Sequence, residues 1–379
     1  MKKILLIHNL YRDFGGEDAA FSSEENLLKQ TYVVEKIVFD NKQKLNFYDL
    51  INFIFLTNIK SNKILLKRIE SFKPDIVYIH NLWFKGSLGL LGILSKLDIP
   101  VVIKIHNFRY LCTNTYFSKK HLEGYDFCPA CGVEKSIFFN KYFKESFVKS
   151  LFVIRFSKKL YKLLKNSNFR LATLTNHHKK ILVQNRFREN QLFVIPNYIS
   201  TINNSENLRG KQFLYAGRVS VEKGVEELIA SFLSLSLSNY CLKIIGTGPE
   251  FKKLKTKYSN KNIIFTGFVK NEDVLREIQN SAVVVSATKL YEGQPTLLCE
   301  ASLNSIPVIF PDTGGISEFL PENYKFLFEQ YNYEELKKIM LKIINSDLNK
   351  IGNENKLFTQ NILNRENLLE IFSLAVENK

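Results

Sequence analysis

The sequence predicts an α/β protein with two domains, each built on a doubly wound parallel sheet. Three observations predict it. The chain has 379 residues, more than one ordinary core holds. Short apolar runs alternate with longer amphipathic segments, the rhythm of strand–helix–strand units. That rhythm stops near Pro196-Asn197 and then starts again.

The first half supplies KILLIHN (3–9), DIVYIHN (75–81), VVIKIHN (101–107) and LATLTN (171–176). Each reads as a buried strand ending on a polar residue. Between them, Ser22–Gln30, Lys63–Ser71 and Gly86–Leu97 carry helical patterns. The stretch 199–211, containing TINNSENLRGK, is polar and reads as linker and hinge. FLYAGRV (213–219), LKIIGTG (242–248), NIIFTGF (262–268), AVVVSAT (282–288) and PVIFPDT (307–313) follow as the second set of strands. The predicted domains are 1–195 and 196–356, with a helical segment 357–379 that would pack back on the first domain. In such sheets ligands bind at the carboxyl ends of strands, so the polar residues there are the candidates for chemistry.

Composition narrows the class. Apolar residues make up 45% and charged residues 24%, as in ordinary soluble domains. Five scattered cysteines argue against a disulfide scaffold and for a reducing cytoplasm. The apolar run of MKKILLIHNL stops at His8, too short for a signal peptide, and no run approaches a membrane span. The net charge of +16 is one-sided: residues 1–195 carry 32 Lys and Arg against 16 Asp and Glu, and the rest 21 against 21. The first half either faces an anionic partner or simply has a lysine-rich surface. Residues 141–170 mix nine basic residues and one Glu with a dense apolar stripe. This helix either lies on an anionic membrane or packs on a core with a solvated basic face.

Several strand ends carry chemistry. In Gly217-Arg218-Val219-Ser220-Val221-Glu222-Lys223-Gly224, two cations sit beside a helix start near Val225, a site suited to a diphosphate. Gly246-Thr247-Gly248-Pro249-Glu250 turns a strand into a helix and allows close backbone approach, without the full dinucleotide fingerprint. In Glu292-Gly293-Gln294-Pro295-Thr296-Leu297-Leu298-Cys299-Glu300, Pro295 is suited to a helix's first turn, and amides near Thr296 and Leu297 would meet an anion. Paired glutamates suit a glycosidase, but its acid needs a raised pKa in an apolar pocket. Neighbouring cations and a helix N-terminus favour ionised carboxylates that accept sugar hydroxyls.

These motifs, with Phe265-Thr266-Gly267 and Gly314-Gly315-Ile316-Ser317-Glu318, cover most of 213–320. They resemble, in order, the retaining nucleotide-sugar glycosyltransferases of family 4. The resemblance implies the GT-B fold, two Rossmann-like domains facing each other across a cleft, and transfer without a divalent metal or other cofactor. No Asp-x-Asp occurs to hold a metal. It implies that Arg218 and Lys223 neutralise the diphosphate of a UDP- or GDP-sugar, that Glu300 holds ribose hydroxyls and that Glu292 contacts the transferred sugar. Gly217, Gly246, Gly248, Phe268, Gly293, Gln294, Thr296 and Leu297 complete the donor site.

In the first half, His8-Asn9-Leu10-Tyr11 followed by Gly15-Gly16-Glu17-Asp18 resembles a branch that builds bacterial surface polysaccharides. Gly15 and Gly16 would close a loop over the diphosphate. His106 would lie against the donor sugar. Glu17, His80, Asn107 and Arg109 would serve a saccharide acceptor, expected to be lipid-linked. His80 has the alternative of a capping role, and His177-His178 reads as a polar helix start. Cys112, Cys128 and Cys131, with His121, are either a thiol cluster or part of a zinc site. The expected location is the cytoplasm, on the inner face of the membrane. Two rivals stand beside this reading. One is a nucleotide-sugar epimerase of the same architecture, and the other a nucleic-acid binder, for which the sequence offers no recognition motif.

Overall fold

A computed structural model of the chain describes residues 1–11, 15–41, 47–108, 127–128, 133–134, 147–199, 209–258 and 262–377. It divides into two units: residues 1–198 with 365–379, and residues 199–364. The expected boundary at 356/357 falls inside a helix, and the chain rejoins the first unit at Arg365.

The first unit is a six-stranded parallel sheet. Its strands are β1 (Lys3–Leu10), β2 (Val33–Asp40), β3 (Ile76–Ile79), β4 (Val101–Ile105), β7 (Arg170–Thr173) and β8 (Leu192–Val194), in the order β2-β1-β3-β4-β7-β8. A separate antiparallel pair joins β5 (Phe127–Cys128) and β6 (Val133–Glu134). The period-two alternation of a strand sends neighbouring residues to opposite faces. Leu5, Ile7, Val77, Ile79 and Leu171 share one core with Leu65 of α3 (Ile59–Phe72), Leu90 of α4 (Gly89–Leu94), Phe156 of α5 (Phe147–Asn166) and Leu182 of α6 (Asn176–Gln184). Ile4, Leu6, Tyr78 and Val102 face the other way, onto Phe21 and Leu28 of α1 (Gly16–Leu28). A short helix α2 (Phe47–Ile54) precedes α3. Capping is local: the Asn58 side chain accepts from Ser61 N–H at 3.2 Å and starts α3.

The second unit repeats the plan with β9 (Gln212–Ala216), β10 (Cys241–Ile245), β11 (Ile263–Gly267), β12 (Val283–Val285), β13 (Val308–Asp312) and β14 (Leu327–Glu329). They pair in the order β11-β10-β9-β12-β13-β14, all parallel. One face buries α7 (Val225–Ser234), α8 (Phe251–Lys257) and α11 (Tyr333–Ile344) through Leu228, Leu254 and Met340. The other buries α9 (Asn271–Gln279) and α10 (Thr296–Leu303) through Ile278, Leu298 and Ala301. Helix α12 (Leu348–Ile362) packs beside α10, and Asp347 caps it by accepting from Lys350 N–H at 3.0 Å.

The last segment differs from the single helix expected over 357–379. Residues 357–362 finish α12, and a new helix, α13 (Arg365–Glu377), buries Leu368, Phe372, Ala375 and Val376 on the Ile4–Leu6–Tyr78 face of the first sheet. No helix among the described residues is long and apolar enough to cross a membrane.

Candidate functional site

The second unit gathers its sequence motifs at the carboxyl ends of β9, β10, β12 and β13. Backbone hydrogen bonds bind the loops together: Val219 N–H donates to Thr247 O at 2.9 Å, Glu250 N–H to Val219 O at 3.1 Å, and Lys289 N–H to Glu222 O at 2.9 Å. Glycine makes the approach possible at two points. Gly246 has φ +125°, and a Cβ there would collide with the Gly217 carbonyl. Gly314 has φ +63°, and a Cβ there would strike the Glu292 carbonyl, which accepts from Gly315 N–H at 3.0 Å.

Lys223 and Glu292 meet here. Lys223 Nζ donates to Glu292 Oε1 at 2.7 Å, and Thr288 Oγ1 donates to the same oxygen at 3.1 Å. Helix α10 follows directly. Pro295 sits one residue before it as its cap, not within its first turn as the sequence suggested. The first intrahelical bond runs from Cys299 N–H to Pro295 O at 3.2 Å, so the amides of Thr296 and Leu297 precede it. Glu300 lies a turn further in. Burial pushes its carboxyl up to about 7. The sequence reading of an ionised Glu300 is therefore corrected: near neutrality the half-buried carboxyl is only partly ionised, because its loss of solvent disfavours the charge. Gln294 is buried, with its amide 3.8 Å from Cys299 Sγ. Arg218 is exposed, and its backbone carbonyl accepts from Tyr215 OH at 2.8 Å. Phe268 follows Gly267 and is 72% exposed. Gly248 packs against the Val219 backbone, and Gly293 is half-buried next to Glu292.

The first unit brings another group together. Asn107 Nδ2 donates to Glu17 Oε1 at 2.8 Å, and Tyr11 OH donates to Glu17 Oε2 at 2.9 Å. His106 Nε2 and His80 Nδ1 are 3.2 Å apart. Burial drives both imidazoles well below the usual histidine range, helped by the nearby Lys104 ammonium, so both are neutral near pH 7. Gly15 precedes α1, with its N–H donating to Asp18 Oδ2 at 2.9 Å. Its φ of −140° is ordinary extended backbone, so neither close packing nor a left-handed turn calls for glycine there. Gly16 is the first residue of α1, directly after the Gly15 cap.

Some expectations change. β1 runs on to Leu10, so His8 and Asn9 are buried inside the strand. His8 Nε2 is 2.8 Å from Asp18 Oδ1. His178 lies in the first turn of α6, as the sequence reading has it, and is buried there with its ring centroid 4.2 Å from that of Phe108. Burial lowers it to about 3. Arg109, Cys112, His121 and Cys131 lie outside the described residues, as does most of the hinge, and of Cys128 only the backbone is described. Among the described residues no cluster of His, Cys, Asp and Glu has the makings of a metal site.

Sequence reading passed over Glu24, Tyr78, Lys104 and Thr288. Lys104 pairs with Glu24 Oε1, and Tyr78 OH donates to Glu24 Oε2 at 2.7 Å, all three buried. The available signal was a lysine in the middle of the apolar run VVIKI: a buried strand lysine needs a buried carboxylate.

The two-sheet architecture is that of the GT-B fold. The structure of Anabaena Alr3699/HepE in complex with UDP and glucose superposes with a TM-score of 0.67 at 14% identity, covering 99% of both chains. Residues 200–362 match the family model described as glycosyl transferases group 1. The chain is 24% identical over 287 residues to the alpha-monoglucosyldiacylglycerol synthase of Acholeplasma laidlawii, covering 73% of this chain and 68% of that protein. It is 32% identical over 123 residues to the putative teichuronic acid biosynthesis glycosyltransferase TuaC of Bacillus subtilis, spanning 32% of this chain and 30% of that protein. By these matches residues 200–362 are similar to the group 1 glycosyltransferases, and the matches do not favour the epimerase.

Proposed function

We propose that the protein is a retaining glycosyltransferase of family 4 that moves a sugar from a nucleotide-diphosphate sugar to a saccharide acceptor. The observation that carries this reading is the meeting of Lys223, Glu292 and the start of α10 at the carboxyl ends of the second sheet. A diphosphate there gains the Lys223 ammonium and the first amides of α10 as donors, with Arg218 on the neighbouring loop. Stabilising the negative charge of the leaving diphosphate is the work a metal ion would otherwise do, so the reaction is read as metal-independent. When a phosphate binds Lys223, Glu292 is released to accept from a sugar hydroxyl. Glu300 accepts from the ribose hydroxyls, and their hydrogen bonds favour its ionised form.

Within the first unit, Glu17, His80, His106 and Asn107 are read as the residues that meet substrate hydroxyls. The acceptor is read as a lipid-linked saccharide in surface polysaccharide synthesis. TuaC is named for teichuronic acid biosynthesis, and the Acholeplasma enzyme is named for a glycolipid. Helix α5 fits a place at an anionic membrane surface, since Val148 and Leu151 are exposed in line with Arg155, Lys158, Lys159 and Lys162.

The deciding experiment is a thermal-shift series with UDP, GDP and their sugar conjugates, with and without EDTA, followed by transfer assays with the conjugate that stabilises. Stabilisation by one nucleotide, unchanged by EDTA, and transfer with retained anomeric configuration are the expected results. Stabilisation that EDTA abolishes overturns metal independence. Conversion of the donor without acceptor, or no response to any nucleotide, overturns the transferase reading.

A further inference from the structure

Three buried groups surround the Glu24 carboxylate in the first unit. Lys104 Nζ meets its Oε1 and also donates to Pro196 O at 3.1 Å. Tyr78 OH donates to Oε2 at 2.7 Å, and His80 Nε2 lies 3.4 Å from that same oxygen. This is long for a hydrogen bond, and His80 Nε2 is buried without a regular one. Across the ring, His80 Nδ1 faces His106 Nε2 at 3.2 Å. His8 and Phe21 stand beside His80, their ring centroids 6.2 and 5.3 Å from its own.

Two neutral imidazoles joined in this way have two arrangements of protons. In one, His80 carries its proton on Nε2, toward the carboxylate. In the other, a lone pair on Nε2 faces the carboxylate oxygen in a buried setting, where like partial charges are most costly. We propose that Glu24, acting through His80, is a positioning residue that fixes the tautomer of His106. With Nε2–H on His80, its Nδ1 accepts, so His106 Nε2 donates and His106 Nδ1 is left as the ring's acceptor. His106 then offers an acceptor, not a donor, to a substrate hydroxyl. Lys104 and Tyr78 hold Glu24 in place. The catalytic consequence rests on the glycosyltransferase reading, but the tautomer does not.

The test is a long-range proton–nitrogen NMR spectrum of the full chain labelled with nitrogen-15 at histidine, between pH 7 and 8. His80→Phe and His106→Gln assign the two rings. Both histidines should show the Nε2–H pattern. In Glu24→Gln, Lys104 keeps the amide oxygen, so the amide N–H turns to His80 and both rings should switch to Nδ1–H. A wild-type His106 protonated on Nδ1, or a Glu24→Gln spectrum unchanged from wild type, overturns the proposal. If Glu24→Gln does not fold, the His80→Phe spectrum decides: His106 should populate both tautomers, and an unaltered single tautomer overturns it. In transfer assays Glu24→Gln should lower kcat roughly 10- to 100-fold with little change in KM, as loss of an outer partner does at ligating histidines. The expected spectra in a protein that transfers no sugar would sink the functional reading and leave the tautomer assignment standing.

Discussion

Glu300 is where solution pH should tell most. Its carboxyl is held up to about 7 by burial, against about 4.5 for a free glutamate. The folded protein thus keeps this proton where the unfolded chain has lost it, so stability falls as pH rises from about 4.5 through 7 and levels off above. Melting curves of Glu300→Gln should lack that part of the slope. Nucleotide affinity should move the other way in the wild type, rising through pH 7 as the carboxylate forms, and stay flat in the variant. A wild-type affinity independent of pH would remove Glu300 from the donor site. Lys223 gives the complementary case. Its ion pair with Glu292 is partly exposed, at 29% and 19% of the side chains, so Lys223→Ala should cost no more than about 1 kcal/mol of stability. If Lys223 serves as proposed, the same change should lower kcat roughly 100- to 1,000-fold by removing the cation that stabilises the leaving diphosphate. Equal activity in the purified variant would sink the assignment.

At the scale of elements, the glycines divide into two kinds. Gly246→Ala forces a side chain against the Gly217 carbonyl at a positive φ, so urea unfolding should show a loss of about 1–3 kcal/mol or more. Gly15→Ala meets nothing within 4 Å, and its cost should stay near that of a lost helix cap, at most about 1 kcal/mol. Sequence could not separate them, since both read as glycine after a strand. The strands themselves were legible because central parallel strands are buried on both faces and read as unbroken apolar runs. β2 escaped notice because it is an edge strand: Val33 and Val38 are exposed, and charged residues interrupt VVEKIVFD. Glu24 escaped for a different reason. Within SSEENLL it looks like a solvated helix face, and only the arrival of Lys104 from β4 makes it a core residue. The order of the motifs in 213–320 could be read because each is short and local. The His80–His106 pair could not, since β3 and β4 must lie side by side first.

For the molecule as a whole, charge and connectivity set the predictions. If the basic face of α5 meets an anionic bilayer, the protein should co-sediment with phosphatidylglycerol vesicles at low salt and release as salt rises. Exchanging Lys158, Lys159 and Lys162 for glutamine should weaken that binding by roughly 1 kcal/mol per lysine. Binding unaffected by the triple change would move the contact elsewhere. Removal of residues 365–379 strips Leu368, Phe372, Ala375 and Val376 from the first sheet. Buried side chains of this size are worth about 1.5–3 kcal/mol each for the larger ones, comparable in sum to a domain's whole stability. Calorimetry of the shortened chain should therefore show the second unit melting and the first already unfolded.

The helix that returns to the first sheet also bears on synthesis. Domains emerging from a ribosome generally fold in chain order. Here the unit that starts first lacks a buried helix until residues 365–377 have been made, whereas residues 199–364 form one uninterrupted unit. The second unit is thus complete before the first. A chain ending at residue 364 should present a folded second unit, while the face of the first sheet that α13 covers stays open to chaperones.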